Sequence, residues 1–263
     1  MTTLAYAARD SRTMLRRNVR RMVRYPSLTL MLIGMPVVFL LLFVYVFGGT
    51  LGAGLGGPAG GRADYVAYVV PGVLAMTVSA AAQGTAISVS MDMTEGIIDR
   101  FRTMAISRAS VLTGHVVGSM IQTLLGIVVV FAIAVLVGFR TTAGVGGLLG
   151  ALGLVVLFTL ALTWLSVALG LNAKSVETAS NTPMFLVLLP FLGSGFVPTD
   201  SMPAALRWFA EYQPFTPVIE TLRALLTGNA AGGSAVLAIA WCVVIALASY
   251  LWAKRLFTRE RTR

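Results

Sequence analysis

Long apolar runs, separated by short polar or glycine-rich stretches, set the pattern of this chain. The first covers residues 28–47, the 20 residues a helix needs to cross a hydrocarbon core of about 30 Å. Others cover residues 66–90, 111–137, 148–171 and 234–252. A further run starts near Asn181 and carries Pro183 and Pro190. No strand-type alternation occurs in these blocks, which argues against a barrel. The pattern therefore predicts an all-α integral membrane protein with six transmembrane helices in a single domain, residues 1–263.

The connections differ in character. Residues 48–61 are rich in glycine and read as an external loop. Gly114, Gly118, Gln122 and Gly126 recur every four residues on the third span, a face that lets another helix approach closely. Thr159, Thr163, Ser166 and Gly170 make a similar stripe on the fourth, preceded by Gly146 and Gly150. Residues 198–233 read as two short amphipathic helices separated by a Pro214–Pro217 turn, too short and too charged to span. They form a re-entrant hairpin at the outer interface, where Trp208 and Tyr212 suit the headgroup region. Glu220 and Arg223 are spaced for an external ion pair.

Charge sharpens this outline. Only 11% of residues are charged against 57% hydrophobic. Residues 2–24 hold seven arginines flanking an apolar face of Leu4, Ala8, Leu15, Val19 and Met22. This is the signature of an amphipathic helix lying on a membrane surface. Residues 92–108 mix three acids with three arginines between two apolar blocks. Ile98, Phe101 and Met104 supply one apolar edge, so this helix must stay outside the bilayer, on a lipid surface or against a soluble partner. With six spans, sixteen of the twenty Lys and Arg fall on the side that holds both termini. The positive-inside rule makes that side cytoplasmic. The net charge of +10 then belongs to the inner membrane face and its anionic lipids, not to a nucleic acid.

The chemistry that is missing narrows the function. No GxxxxGK[ST] loop is present, so the chain has no such ATP site of its own. The lone His115 has no cysteine or second histidine with which to share a metal, and Cys242 has no partner for an intrachain disulfide. No Asp, Glu, Lys or Arg stands near the middle of a span, where a proton-coupled carrier needs one. If the chain transports, energy should arrive from another polypeptide through residues 92–108.

The stretches EGIIDRFRTMAISR and GFVPTDSMPAALRWFAEYQPFTPVIETLRALL resemble the permease subunit of daunorubicin-resistance-type ATP-binding-cassette (ABC) exporters, over nearly the full chain. The resemblance implies a bacterial plasma-membrane permease that pairs with a second permease chain, identical or paralogous. Each would rest on a separate cytoplasmic ABC ATPase subunit, which would hold ATP and magnesium; this chain would hold no cofactor. It also implies that Glu95, Gly96, Asp99, Arg100, Phe101 and Arg102 lie in a coupling helix at the ATPase, with Phe101 as the apolar plug. The path for a lipophilic drug or antibiotic-like compound would be the seam between permeases, with Ser79, Gln83, Asn181 and Met184 as candidates. Methionines, among them Met31, Met35 and Met76, suit varied apolar ligands because thioethers repack easily. Export of a lipid or cell-envelope component, a non-transporting membrane anchor, and an autonomous proton-driven carrier are the competing readings.

Overall fold

The computed structural model describes residues 26–54, 61–94 and 108–258, all helix, turn or irregular connection. Helix α1 (Pro26–Leu42) passes through a π-helical turn (Phe43–Phe47) into α2 (Gly48–Gly54). The expected glycine loop therefore starts later than its composition suggests. Gly52 allows this, because a Cβ there would collide with the backbone of Gly61. Then come α3 (Arg62–Thr94), α4 (Arg108–Val137) and α5 (Val145–Asn172). Two short helices follow, α6 (Val176–Asn181) and α7 (Met184–Leu188), and a series of turns continues from Leu189 to Val197. After a 3-10 turn (Thr199–Ser201) come α8 (Ala204–Tyr212), α9 (Phe215–Thr227) and α10 (Gly232–Thr258). Among the described residues, five helical stretches are long and apolar enough to cross a membrane: Leu32–Gly54, α3, Leu112–Val137, α5 and Gly232–Phe257. The amphipathic segment 2–24 and residues 95–107 of the charged stretch lie outside the described residues.

Helices α3 and α5 form the centre. Along α3 an unbroken series from Val69 to Ser79 is buried, and small residues let neighbours approach. Two buried threonine hydroxyls are satisfied within the helix: Thr77 donates to the Val73 carbonyl (2.8 Å) and Thr85 to that of Ala81 (3.0 Å). The Thr159, Thr163, Ser166 and Gly170 stripe of α5 is buried, and Gly170 packs against Ala86 and Val89 of α3. On α4, Gly126 packs against Ile33 and Thr77. Gly147 and Gly150 of α5 meet Leu225 of α9, whereas Gly146 has open space beside it.

The bundle has two distinguishable ends. At one, Val89, Leu112, Val116, Trp164, Leu171, Ala253 and Phe257 share an apolar cluster. At the other, Thr141 and Thr142 donate to the carbonyls of Leu226 and Thr227 (2.7 and 2.6 Å). Helix α9 ends there at Gly228, whose φ of +73° is the left-handed conformation that glycine adopts without cost.

The fifth apolar run is not one helix. Pro183 and Pro190 lack the N–H that an α-helix requires, and the chain turns at both. It nevertheless runs the length of the bundle. Gln83 of α3 donates to the Ser180 carbonyl (2.9 Å), and Tyr65 of α3 donates to the Phe196 carbonyl (3.2 Å). Residues 65 and 83 are about 27 Å apart along a helix rising about 1.5 Å per residue, close to the thickness of a hydrocarbon core. The broken run thus lies antiparallel to α3 from one end to the other.

Candidate functional site

A non-helical backbone packed inside a helical bundle must have its polar groups satisfied by protein. In the broken run this is done by side chains from outside it. Gln213 donates to the Leu189 carbonyl (2.9 Å), and the Ser194 N–H donates to the Thr216 hydroxyl (3.2 Å). Arg223 donates through Nη2 to the Ser194 carbonyl (2.6 Å), and Tyr65 reaches Phe196 as above. Three of these four side chains come from the 198–233 hairpin or its turn. Gly193 is required beside them, because a Cβ would strike the Gln213 amide and the Thr216 hydroxyl. Phe191 and Phe196 stack at 4.4 Å between centroids, and Phe43 stacks on Phe196 at 4.4 Å, which binds the π-turn of the first span to the same run.

The hairpin is divided in its environment. Helix α8 is mostly exposed, with Trp208 and Tyr212 outward, while Arg207 bridges Asp200 (2.6 Å) and Glu211 (2.7 Å) at the surface. Helix α9 is buried along Phe215–Ile219, Thr221, Leu222 and Leu226 and packs on α3, α5 and α10. Pro217 does not sit in the turn, as its spacing suggests, but in the first turn of α9, where its missing N–H costs nothing. The Glu220–Arg223 ion pair expected from spacing does not close. The guanidinium goes instead to the carbonyls of Tyr68 (3.2 Å) and Ser194, and lies over the Tyr68 ring at 3.8 Å. These partners are remote in sequence and leave no signal in it. Beside them opens a cleft of about 600 Å³, lined by Asp64, Ala67, Tyr68, Glu220, Arg223, Ala224, Thr227 and Asn229. Burial, which disfavours charge, pushes the Glu220 carboxyl above its ordinary range, against the smaller attraction of Arg223.

The four path candidates divide. Gln83 is half-buried and holds Ser180, so it stands beside Asn181, which is exposed, and one turn from Met184, 54% exposed. Ser79 is fully buried inside the chain, its hydroxyl donating to the Ala75 carbonyl of its own helix (3.1 Å). Glu95, Gly96, Asp99, Arg100, Phe101 and Arg102 lie outside the described residues. The two helices that flank them are tied to each other: His115 Nε2 stands 3.1 Å from Asp92 Oδ2, both side chains 5% exposed. Among the described residues no group of three His, Cys, Asp or Glu is arranged to hold a metal ion.

A family model described as ABC-2 type transporter matches residues 9–227. The chain is 28% identical over 208 residues to "Daunorubicin resistance ABC transporter permease protein DrrB1" of Streptomyces coeruleorubidus, which covers 78% of this chain and 71% of that protein. It is 23% identical over 166 residues to "Probable doxorubicin resistance ABC transporter permease protein DrrC" of Mycobacterium tuberculosis, strain CDC 1551 / Oshkosh, covering 62% of this chain and 60% of that one. The protein of the same name from strain ATCC 25618 / H37Rv matches to the same extent.

Proposed function

The chain belongs to the ABC-2 type transporter family, and on that premise we propose that it is the membrane subunit of an ATP-driven exporter of lipophilic, drug-like compounds. The observation that carries the mechanism is that α3 ends at Thr94 and α4 begins at Arg108 at the same end of the bundle, where Leu171 and Phe257 also lie. With the broken run counted as a sixth crossing, the order of the spans assigns sixteen of the twenty basic residues and both termini to this side, and we take it as the cytoplasmic side on the positive-inside rule. The 198–233 hairpin then caps the outer end as a re-entrant element.

In this reading a separate ABC ATPase binds ATP and docks on residues 95–107, with Phe101 filling an apolar groove and Asp99, Arg100 and Arg102 pairing at its rim. Closure of the ATPase moves α3 and α4. Two permeases form the complex, and substrate passes along their seam, beside the broken run. Broken helices line substrate sites in other transporters, which supports this placement. Gln83, Asn181 and Met184 face the path, while Ser79 shapes the wall from behind. The drug class follows the names of the relatives.

The test is purification of the tagged permease from native membranes, with ATPase activity measured in the eluate. The parent should carry an ATPase with it, and Asp99→Arg should lose it. Phe101→Ala should retain ATP hydrolysis and lose daunorubicin export. Normal export by Phe101→Ala would sink the coupling assignment. Absence of any ATPase, in mild detergent and in lipid discs alike, would sink the exporter reading.

A further inference from the structure

Asp92 and His115 are ionisable residues, both buried, at the ends of two helices that enter and leave the same charged stretch. Asp92 lies two residues before the end of α3, and His115 lies about two turns into α4. The 3.1 Å separation is within hydrogen-bond reach, with the imidazole Nε2–H as donor and the carboxylate Oδ2 as acceptor. Around them Val89, Leu112 and Val116 belong to an apolar cluster shared with α5 and α10.

The surroundings give the pair its consequence. Apolar packing lets one helix slide along another with little change in buried area, because it has no direction. A carboxylate and an imidazole held together in a low-dielectric site keep a narrow range of geometries, and separating them takes the buried imidazole from its carboxylate partner. At the ends of α3 and α4 that flank residues 95–107, the pair fixes the two helices in register. A push on the stretch between them cannot then be absorbed by slippage of one helix.

We propose that Asp92 and His115 are positioning residues that transmit motion of residues 95–107 to α3 and α4 as one body, a step that rests on the coupling reading above. They touch neither nucleotide nor substrate; they act through the helices they join. Coupling energies between linked sites commonly correspond to about 5- to 150-fold effects, so loss of the tie should be readily measured.

The experiment needs no knowledge of the substrate. The single native Cys242 is replaced by Ala and the exposed Asn229, at the outer end, by Cys. Native membranes containing the permease and its ATPase are labelled with an impermeant maleimide, with and without ATP and vanadate. The parent should change its labelling rate about fivefold on nucleotide trapping. Asp92→Asn, His115→Ala and His115→Asn should each abolish most of that change while the ATPase still co-purifies. The exchange Asp92→His/His115→Asp should restore it.

A full response in the single variants overturns the proposal. So does an exchange variant that elutes as the parent does yet fails to recover the response. Loss of the co-purifying ATPase, or of the folded elution peak, in all the single variants also overturns it, since the pair would then only shape the fold. A parent that ignores nucleotide refutes the coupling reading itself. A parent that responds, with Phe101→Ala silent and the Asp92 and His115 variants unaffected, refutes this inference alone.

Discussion

The guanidinium of Arg223 lies 3.8 Å over the ring of Tyr68 and donates to two carbonyls on different elements, Tyr68 on α3 and Ser194 in the broken run. One side chain on α9 thus joins three segments that are far apart in sequence. Its flat, forked donor set suits this; a lysine ammonium would serve one carbonyl and lose the ring. Hydrogen bonds to charged groups are each worth about 1.5–3 kcal/mol, so Arg223→Ala should cost roughly 3 kcal/mol. Arg223→Lys should recover part of this. Denaturant unfolding in mixed micelles would check both, and an unchanged midpoint for Arg223→Ala would contradict the role.

Helices α3 and α5 meet at Gly170. A Cβ there would stand 2.6 Å from the Ala86 carbonyl oxygen and 3.0 Å from the Val89 Cβ, both on a buried helix. Gly170→Ala should therefore destabilise the bundle by about 1–3 kcal/mol through overpacking. Gly153, on the same helix, has nothing within 4 Å of the place its Cβ would take, and Gly153→Ala should be neutral or stabilise by up to about 1 kcal/mol. Thermal stability of the two variants side by side gives the comparison.

Glu220 provides a pH test. In the unfolded chain its carboxyl ionises near 4.5, and burial raises that value in the folded protein. Between the two values the folded state holds a proton the unfolded chain has lost. Stability contributed by Glu220 is hence highest at acid pH and falls as pH rises through this window. Glu220→Gln should be more stable than the parent at neutral pH, and the difference should vanish below about 4.5. An equal difference at both pH values would argue against burial as the cause.

The count of crossings can be read from labelling. In the Cys242→Ala background, Lys174→Cys and Asn229→Cys are both at exposed positions in connections, on either side of the broken run. An impermeant maleimide added to intact cells should label the second and spare the first. Labelling of both from the same face would reduce the broken run to a re-entrant element and move the C-terminal end outside.

Much of the fold is legible in the chain because a bilayer imposes simple demands on a helix. Apolar length locates the spans at residues 66–90, 111–137 and 148–171, which the helices extend by a few residues at most ends. The stripe from Thr159 to Gly170 reads as a packing face, since small residues at a helical period let a neighbouring helix come close. The resemblance of two motifs is also enough to name the family, which the match over residues 9–227 bears out.

Other features depend on partners distant in the chain. Spacing suggests that Arg223 pairs with Glu220, three residues away, but the fold offers it two carbonyls and an aromatic face. Asp92 reads as one charge in a polar stretch and His115 as a solitary histidine; only the antiparallel packing of α3 and α4 makes them a pair. The same holds for the path candidates, where Gln83 meets Ser180 while Ser79 turns to its own helix.

That the chain crosses a membrane several times follows from its residues alone, because hydrophobic length and the distribution of arginines act locally. How a proline-broken run is held among the other helices follows only from the packed bundle. Each freed carbonyl or N–H there needs a donor or acceptor from elsewhere, and Tyr65, Gln213, Thr216 and Arg223 supply them from positions that no local pattern reveals.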